Sequence, residues 1–120
     1  MVRAMLIAVA GPYSAPSKEQ RQRNLDEMNR VAAEVMRLGH IPIIGVNAAL
    51  GVVEAAAPPD PYSAIMAISL AVVERCDAIL VIGESAGVKA ERDLVASKGL
   101  PVYTSLSQIP LVREANEWSK

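Results

Sequence analysis

The chain has 120 residues, of which 52% are apolar and 21% charged, with a formal net charge of -1. That length fits one domain able to bury its own core, and the composition excludes a disordered chain. The near-neutral balance provides no electrostatic footprint for nucleic acid, and one cysteine (Cys76) with one histidine (His40) leaves neither a disulfide framework nor a zinc site.

Met1 to Ala10 superficially resembles a signal peptide, with one positive charge before an apolar run. The run is short and leads straight into Gly11-Pro12-Tyr13, so it reads instead as a buried first strand, Met5 to Ala10. No apolar stretch reaches the ~18 to 20 residues of a membrane span. Together with the lone cysteine this predicts a cytoplasmic protein. Phe is absent and aromatic residues amount to 3%, so the core must be aliphatic and alanine-rich.

Gly11 to Ser17 is a loop punctuated by glycine and two prolines. Ser17 then opens a helix, with Gln20 at capping-box distance. Apolar residues at Leu25, Met28, Val31, Ala32, Val35 and Leu38 recur at the spacing of an amphipathic helix over Lys18 to Leu38. The basic cluster Lys18 to Arg23 reads as its solvated face, and Gly39 as its C-terminal stop. His40 to Gly45 predicts a second strand, and Pro42 places it near a sheet edge. His40 itself fits a surface or capping role better than that of a base.

Residues 45 to 61 are the least legible. Asn47 to Ala57 suits a short helix, and Ala57-Pro58-Pro59-Asp60-Pro61 is a break. Tyr62 to Arg75 is helical, with Ile65, Met66, Ile68, Leu70, Val72 and Val73 spread round its circumference, which predicts a subunit interface. Ala78 to Ile82 is a fully buried strand introduced by Asp77. A helix from about Val88 to Ser97 follows, then a short strand at Leu100 to Tyr103. Ser105 to Trp118 predicts a helical turn and, after Pro110, a last helix.

Strands alternating with helices predict a parallel sheet covered on both faces, with ligands outside the carboxyl ends of its strands. The loops there bring Tyr13, Ser85 and Glu91 to one rim. Ser85-Ala86-Gly87 at a helix start suits a phosphate or a ribose hydroxyl. No G-x-G-x-x-G follows the first strand, which disfavours a dinucleotide, and nothing calls for a cofactor. Cys76 lacks the basic surroundings of a reactive thiol, apart from Arg75.

Four stretches together resemble the nucleoside 2-deoxyribosyltransferase superfamily. They are Ile7-Ala8-Val9-Ala10-Gly11-Pro12-Tyr13, Gly39-His40-Ile41-Pro42, Cys76-Asp77-Ala78-Ile79-Leu80-Val81-Ile82 and Ser85-Ala86-Gly87-Val88-Lys89-Ala90-Glu91. The similarity spans roughly residues 4 to 104 and is greatest to the 2'-deoxynucleoside 5'-monophosphate N-glycosidases and to small bacterial and phage domains. It implies a flavodoxin-like, Rossmann-like three-layer sandwich with four or five mostly parallel strands, assembled as a homodimer or higher homo-oligomer. It also implies that Glu91 attacks the anomeric carbon of a deoxyribosyl group, that Ser85 holds a 5'-phosphate, and that Tyr13 positions the sugar. The small-molecule partner is then a nucleoside or nucleotide, bound by Ser85, Gly87, Gly11, Ser69 and Asp77.

Two positions depart from the family pattern. Where the family carries an aspartate for leaving-group protonation, this chain has Ser69, and where an aromatic precedes the glutamate it has Ala90. Asp60 replaces the missing acid only if its loop folds inward. The alternative is a non-catalytic domain that binds or senses a nucleotide or nucleotide-sugar. A third reading is structural, an obligate oligomer with a vestigial pocket.

Overall fold

The computed structural model describes residues 3–112. Four strands, β1 (Leu6–Ala10), β2 (Ile41–Ile43), β3 (Ala78–Val81) and β4 (Val102–Tyr103), form one all-parallel sheet in the order β2-β1-β3-β4. Four helices connect them: α1 (Lys18–Arg37), α2 (Gly45–Ala56), α3 (Pro61–Glu74) and α4 (Ala86–Ser97). This is a flavodoxin-like α/β fold: the alternation predicts its parallel sheet covered on both faces, and the resemblance implies its flavodoxin-like form. A fifth strand is not found among the described residues.

The apolar runs explain the layering. Both β1 and β3 are central and buried on both faces, so their side chains feed two cores. Ile7, Val9, Ala78 and Leu80 meet Met28, Val31, Ala32 and Val35 of α1 on one face. Ala8, Ala10, Ile79 and Val81 meet Val73 of α3 and Val88 and Val95 of α4 on the other. The predicted cap holds: Ser17 Oγ accepts from the Gln20 N–H at 3.0 Å, and Gly39 leaves α1 at φ +93°. Pro42 sits in β2, at the sheet edge, where a missing donor costs least.

The second strand is shorter than predicted. It ends at Ile43, and Gly45 already belongs to α2, which begins two residues before the predicted Asn47. Ile44 provides no side-chain cap, so the usual polar signal for a helix start is absent. α3 has the expected punctuation, with Asp60 accepting from the Ser63 N–H at 3.1 Å and Pro61 in the first turn. The fourth strand contracts to two residues, and the turn expected after Ser105 is a 3₁₀ segment, Leu106–Gln108. The helix predicted after Pro110 falls mostly outside the described residues, and those up to Val112 are irregular.

His40 is wholly buried rather than superficial. Its Nδ1 accepts from the Met5 N–H at 3.0 Å, so the proton sits on Nε2, which donates to the Pro110 carbonyl at 2.6 Å. One ring thereby ties the segment before β1 to the segment that follows the 3₁₀ turn. His40→Ala leaves two backbone groups without these partners and is expected to cost about 2 to 4 kcal/mol in denaturant unfolding. A loss under ~0.5 kcal/mol would show that the imidazole is not what holds these two segments together.

Candidate active site

In a sheet of this order the connection after β1 runs to β2 on one side and that after β3 runs to β4 on the other, and a crevice opens where they diverge. Here those connections are Gly11 to Ser17 and Ile82 to Ser85. They approach closely because Gly11 has no side chain: a Cβ there would lie 2.8 Å from Ile82 Cγ1. The first loop is pinned by α1. Asn24 Nδ2 donates to the Tyr13 carbonyl at 3.0 Å and Arg21 Nη1 donates to the Ala15 carbonyl at 2.8 Å.

A cavity of about 550 Å³ occupies the crevice. Tyr13, Ser14 and Arg21 border it on one side, and Ser85, Gly87 and Glu91 on another. The α2–α3 hairpin closes it with Val46, Leu50, Tyr62, Ile65 and Met66. The predicted rim residues Gly11, Tyr13, Ser85, Gly87 and Glu91 therefore converge on one cavity. Ser85 is the N-cap of α4, its Oγ accepting from the Val88 N–H at 3.1 Å. Its hydroxyl hydrogen and the first amides of the helix suit an anionic or hydroxylated ligand.

Glu91 lies on the second turn of α4, which carries it to the base of the cavity, where it is only 5% exposed. Ser69, on α3 and completely buried, donates from Oγ to Glu91 Oε1 at 3.1 Å. Ser69 does not line the cavity; it backs the carboxylate from behind. Gly45 stands behind Ser69 in turn, so close that a Cβ would fall 2.2 Å from Ser69 Oγ. A glycine, a serine and a glutamate from three helices thus stack in a line.

No family model matches the chain, and no curated protein matches it. The chemistry of the site therefore rests on its own groups.

Burial raises the Glu91 carboxyl above the ordinary carboxylate range, and the Ser69 hydrogen bond offsets part of that shift. The arginine next in sequence does not help, because Arg92 reaches away to Glu84 at 2.6 Å. Such a group, in an apolar cavity with one neutral partner, is a perturbed carboxylate of the kind that functional sites use. Cys76 behaves oppositely to a reactive thiol: burial first, then the neighbouring Asp77 and Glu91 charges, push it up to about 11.

Two residues expected to bind the substrate, Ser69 and Asp77, do not border the cavity, and neither does Asp60. Asp77 precedes β3, at the amino end of the sheet, where its Oδ2 accepts from the Leu6 N–H at 2.8 Å. It aligns β3 beside β1 and does not border the cavity. Asp60 does not fold inward; it is exposed and spends its carboxylate on Ser63 at the start of α3. Conversely, Arg21 is a lining residue hidden in a stretch that reads as a solvated face. Gly45 was invisible because only its contact with Ser69 gives it meaning. Among the described residues no three His, Cys, Asp or Glu side chains gather as a metal site, and no helix is long and apolar enough to cross a membrane.

Proposed function

We propose that the protein cleaves the N-glycosidic bond of a nucleoside or nucleotide, by hydrolysis or by transfer of the sugar to another base, with Glu91 as nucleophile. The observation that carries this reading is the buried Glu91 carboxyl at the base of the cavity, with Oε1 held by Ser69 and, among the described residues, no hydrogen bond to its other oxygen. A carboxylate so placed can attack the anomeric carbon, expel the base and form a glycosyl ester that water or a second base resolves. Ser85, Gly87 and the adjacent amides take a phosphate or sugar hydroxyl, and Tyr13 positions the sugar. The test is to incubate the protein with a panel of nucleosides and nucleotides and follow free base by chromatography. Base release is expected, and it should vanish in Glu91→Ala; release that survives the substitution removes the nucleophile assignment.

A second reading has one observation in its favour: where the family resembled carries its proton-donating aspartate, this chain has Ser69, whose hydroxyl donates to Glu91. A nucleotide-binding domain without turnover would show ligand-dependent rises in melting temperature and no free base in the same samples.

We further propose a homo-oligomer built through the α2–α3 hairpin. Its outer surface leaves Val52 61% and Tyr62 50% exposed, and Ala67 and Ala71 of α3 also face outward. Sedimentation is expected to give at least a dimer, and a stable monomer at micromolar concentration would rule the assembly out.

A further inference from the structure

Among the described residues, the lining of the cavity contains one carboxyl group, Glu91, and no imidazole. Its other proton-bearing side chains are the hydroxyls of Ser14 and Ser85, the phenols of Tyr13 and Tyr62, and the Arg21 guanidinium. Asp60, Asp77 and His40 are committed elsewhere: Asp60 caps α3, Asp77 holds Leu6 at the opposite end of the sheet, and His40 bridges Met5 and Pro110. The Ser69 hydroxyl is already donated to Glu91. A carboxylate that attacks has no proton of its own to give. Among the described residues, then, nothing at this site can protonate a departing base as a carboxylic acid would.

We infer that the preferred substrates carry a base that is already cationic, an N-glycosyl pyridinium or an N7-alkylated purine, which departs neutral without a proton from the protein. This rests on Glu91 being the nucleophile. The electron balance is simple. A Glu91 oxygen forms a bond to C1' as the C1'–N bond breaks, and the bonding pair passes to the ring nitrogen and cancels its positive charge. Water then replaces the Glu91 oxygen at C1', the carboxylate is restored, and one proton goes to solvent.

Two further features fit a cation here. A buried carboxylate with a single neutral partner is stabilised by a positive ring brought against it. The walls that would hold the ring, Tyr13, Tyr62, Ile65 and Met66, combine aromatic faces with soft aliphatic surface, which favours a flat, weakly hydrated cation. Arg21, the cation on the lining, suits the phosphate of a nucleotide rather than its base.

The experiment compares 2'-deoxyguanosine 5'-monophosphate with its N7-methylated form, and runs nicotinamide mononucleotide alongside. Base release is measured with the intact protein and with Glu91→Gln, and the difference is the Glu91-dependent rate, free of spontaneous depurination. The cationic substrates are expected to exceed the neutral one by ~10²-fold or more, the range that a missing general acid commands. Equal or faster Glu91-dependent release from the neutral nucleotide would overturn this inference and leave the nucleophile in place. No Glu91-dependent release from any of the three would remove both.

Discussion

Glu91→Gln is expected to abolish base release, by a factor on the order of 10⁴ or more, while making the protein more stable at neutral pH. The two effects have one origin. Burial holds the folded-state carboxyl above its ordinary value of 4.5, so the folded protein binds this proton more tightly than the unfolded chain does. The associated stability is fully present below that value and is lost as pH rises towards the folded-state one. At neutrality and above, the ionised carboxylate is a net burden on the fold. Glutamine keeps an oxygen for the Ser69 hydroxyl and removes the charge. The melting temperature should rise at pH 8, and the gain should shrink as pH falls towards 4. A variant less stable than the parent at pH 8 would contradict the idea that desolvation dominates at Glu91.

Two glycines of the same helix are expected to respond with opposite signs. Gly45→Ala introduces a Cβ at 2.2 Å from Ser69 Oγ and 3.0 Å from Ser69 Cα. The second contact is with backbone, so no side-chain rotation relieves it, and α2 must move away from α3. Overpacking of this kind costs about 1 to 3 kcal/mol. It should also weaken the Ser69–Glu91 hydrogen bond and slow any Glu91-dependent reaction. Gly51→Ala meets nothing within 4 Å and is helical and exposed, so it should gain about 0.5 to 1 kcal/mol from better helix propensity. The pair is read by denaturant midpoint. If both variants are destabilised equally, the position behind Ser69 has no special role.

The strongly periodic parts of the fold were legible in the chain. α1 shows its stripe and its Ser17 cap, β1 and β3 are uninterrupted apolar runs, and alternation alone implies the parallel sheet. The site was legible where a local pattern carries it: Ser85 and Glu91 lie six residues apart on one cap and helix, and Tyr13 follows β1. What stayed hidden depends on contacts distant in sequence. α2 begins on an uncapped Ile44 and ends at Ala57, which adopts a left-handed conformation without being glycine, so neither end carries its usual signal. Arg21 sits among Lys18, Glu19, Gln20, Gln22 and Arg23, and only the fold shows which of them turns inward. Asp77, by contrast, precedes β3, and in a parallel sheet the residue before a strand lies at the amino end, so its place away from the cavity follows from strand order. His40 looked ordinary because its two partners are 35 and 70 residues away.

The strand order has a kinetic consequence. β3 pairs with β4, the next strand in sequence, but its pairing with β1 joins residues about 71 apart, as the Leu6–Asp77 hydrogen bond spans. Contacts at that separation close late, because a long loop must be ordered before they give anything back. The cavity straddles this same junction, with Tyr13 delivered by one strand and Glu91 by the other. A half-made sheet, with β1 on β2 alone, would hold Tyr13 and Arg21 without their carboxylate. Tyr13, Arg21 and Glu91 therefore come together only once β3 has joined β1, and the crevice is complete only in a sheet that contains that pair.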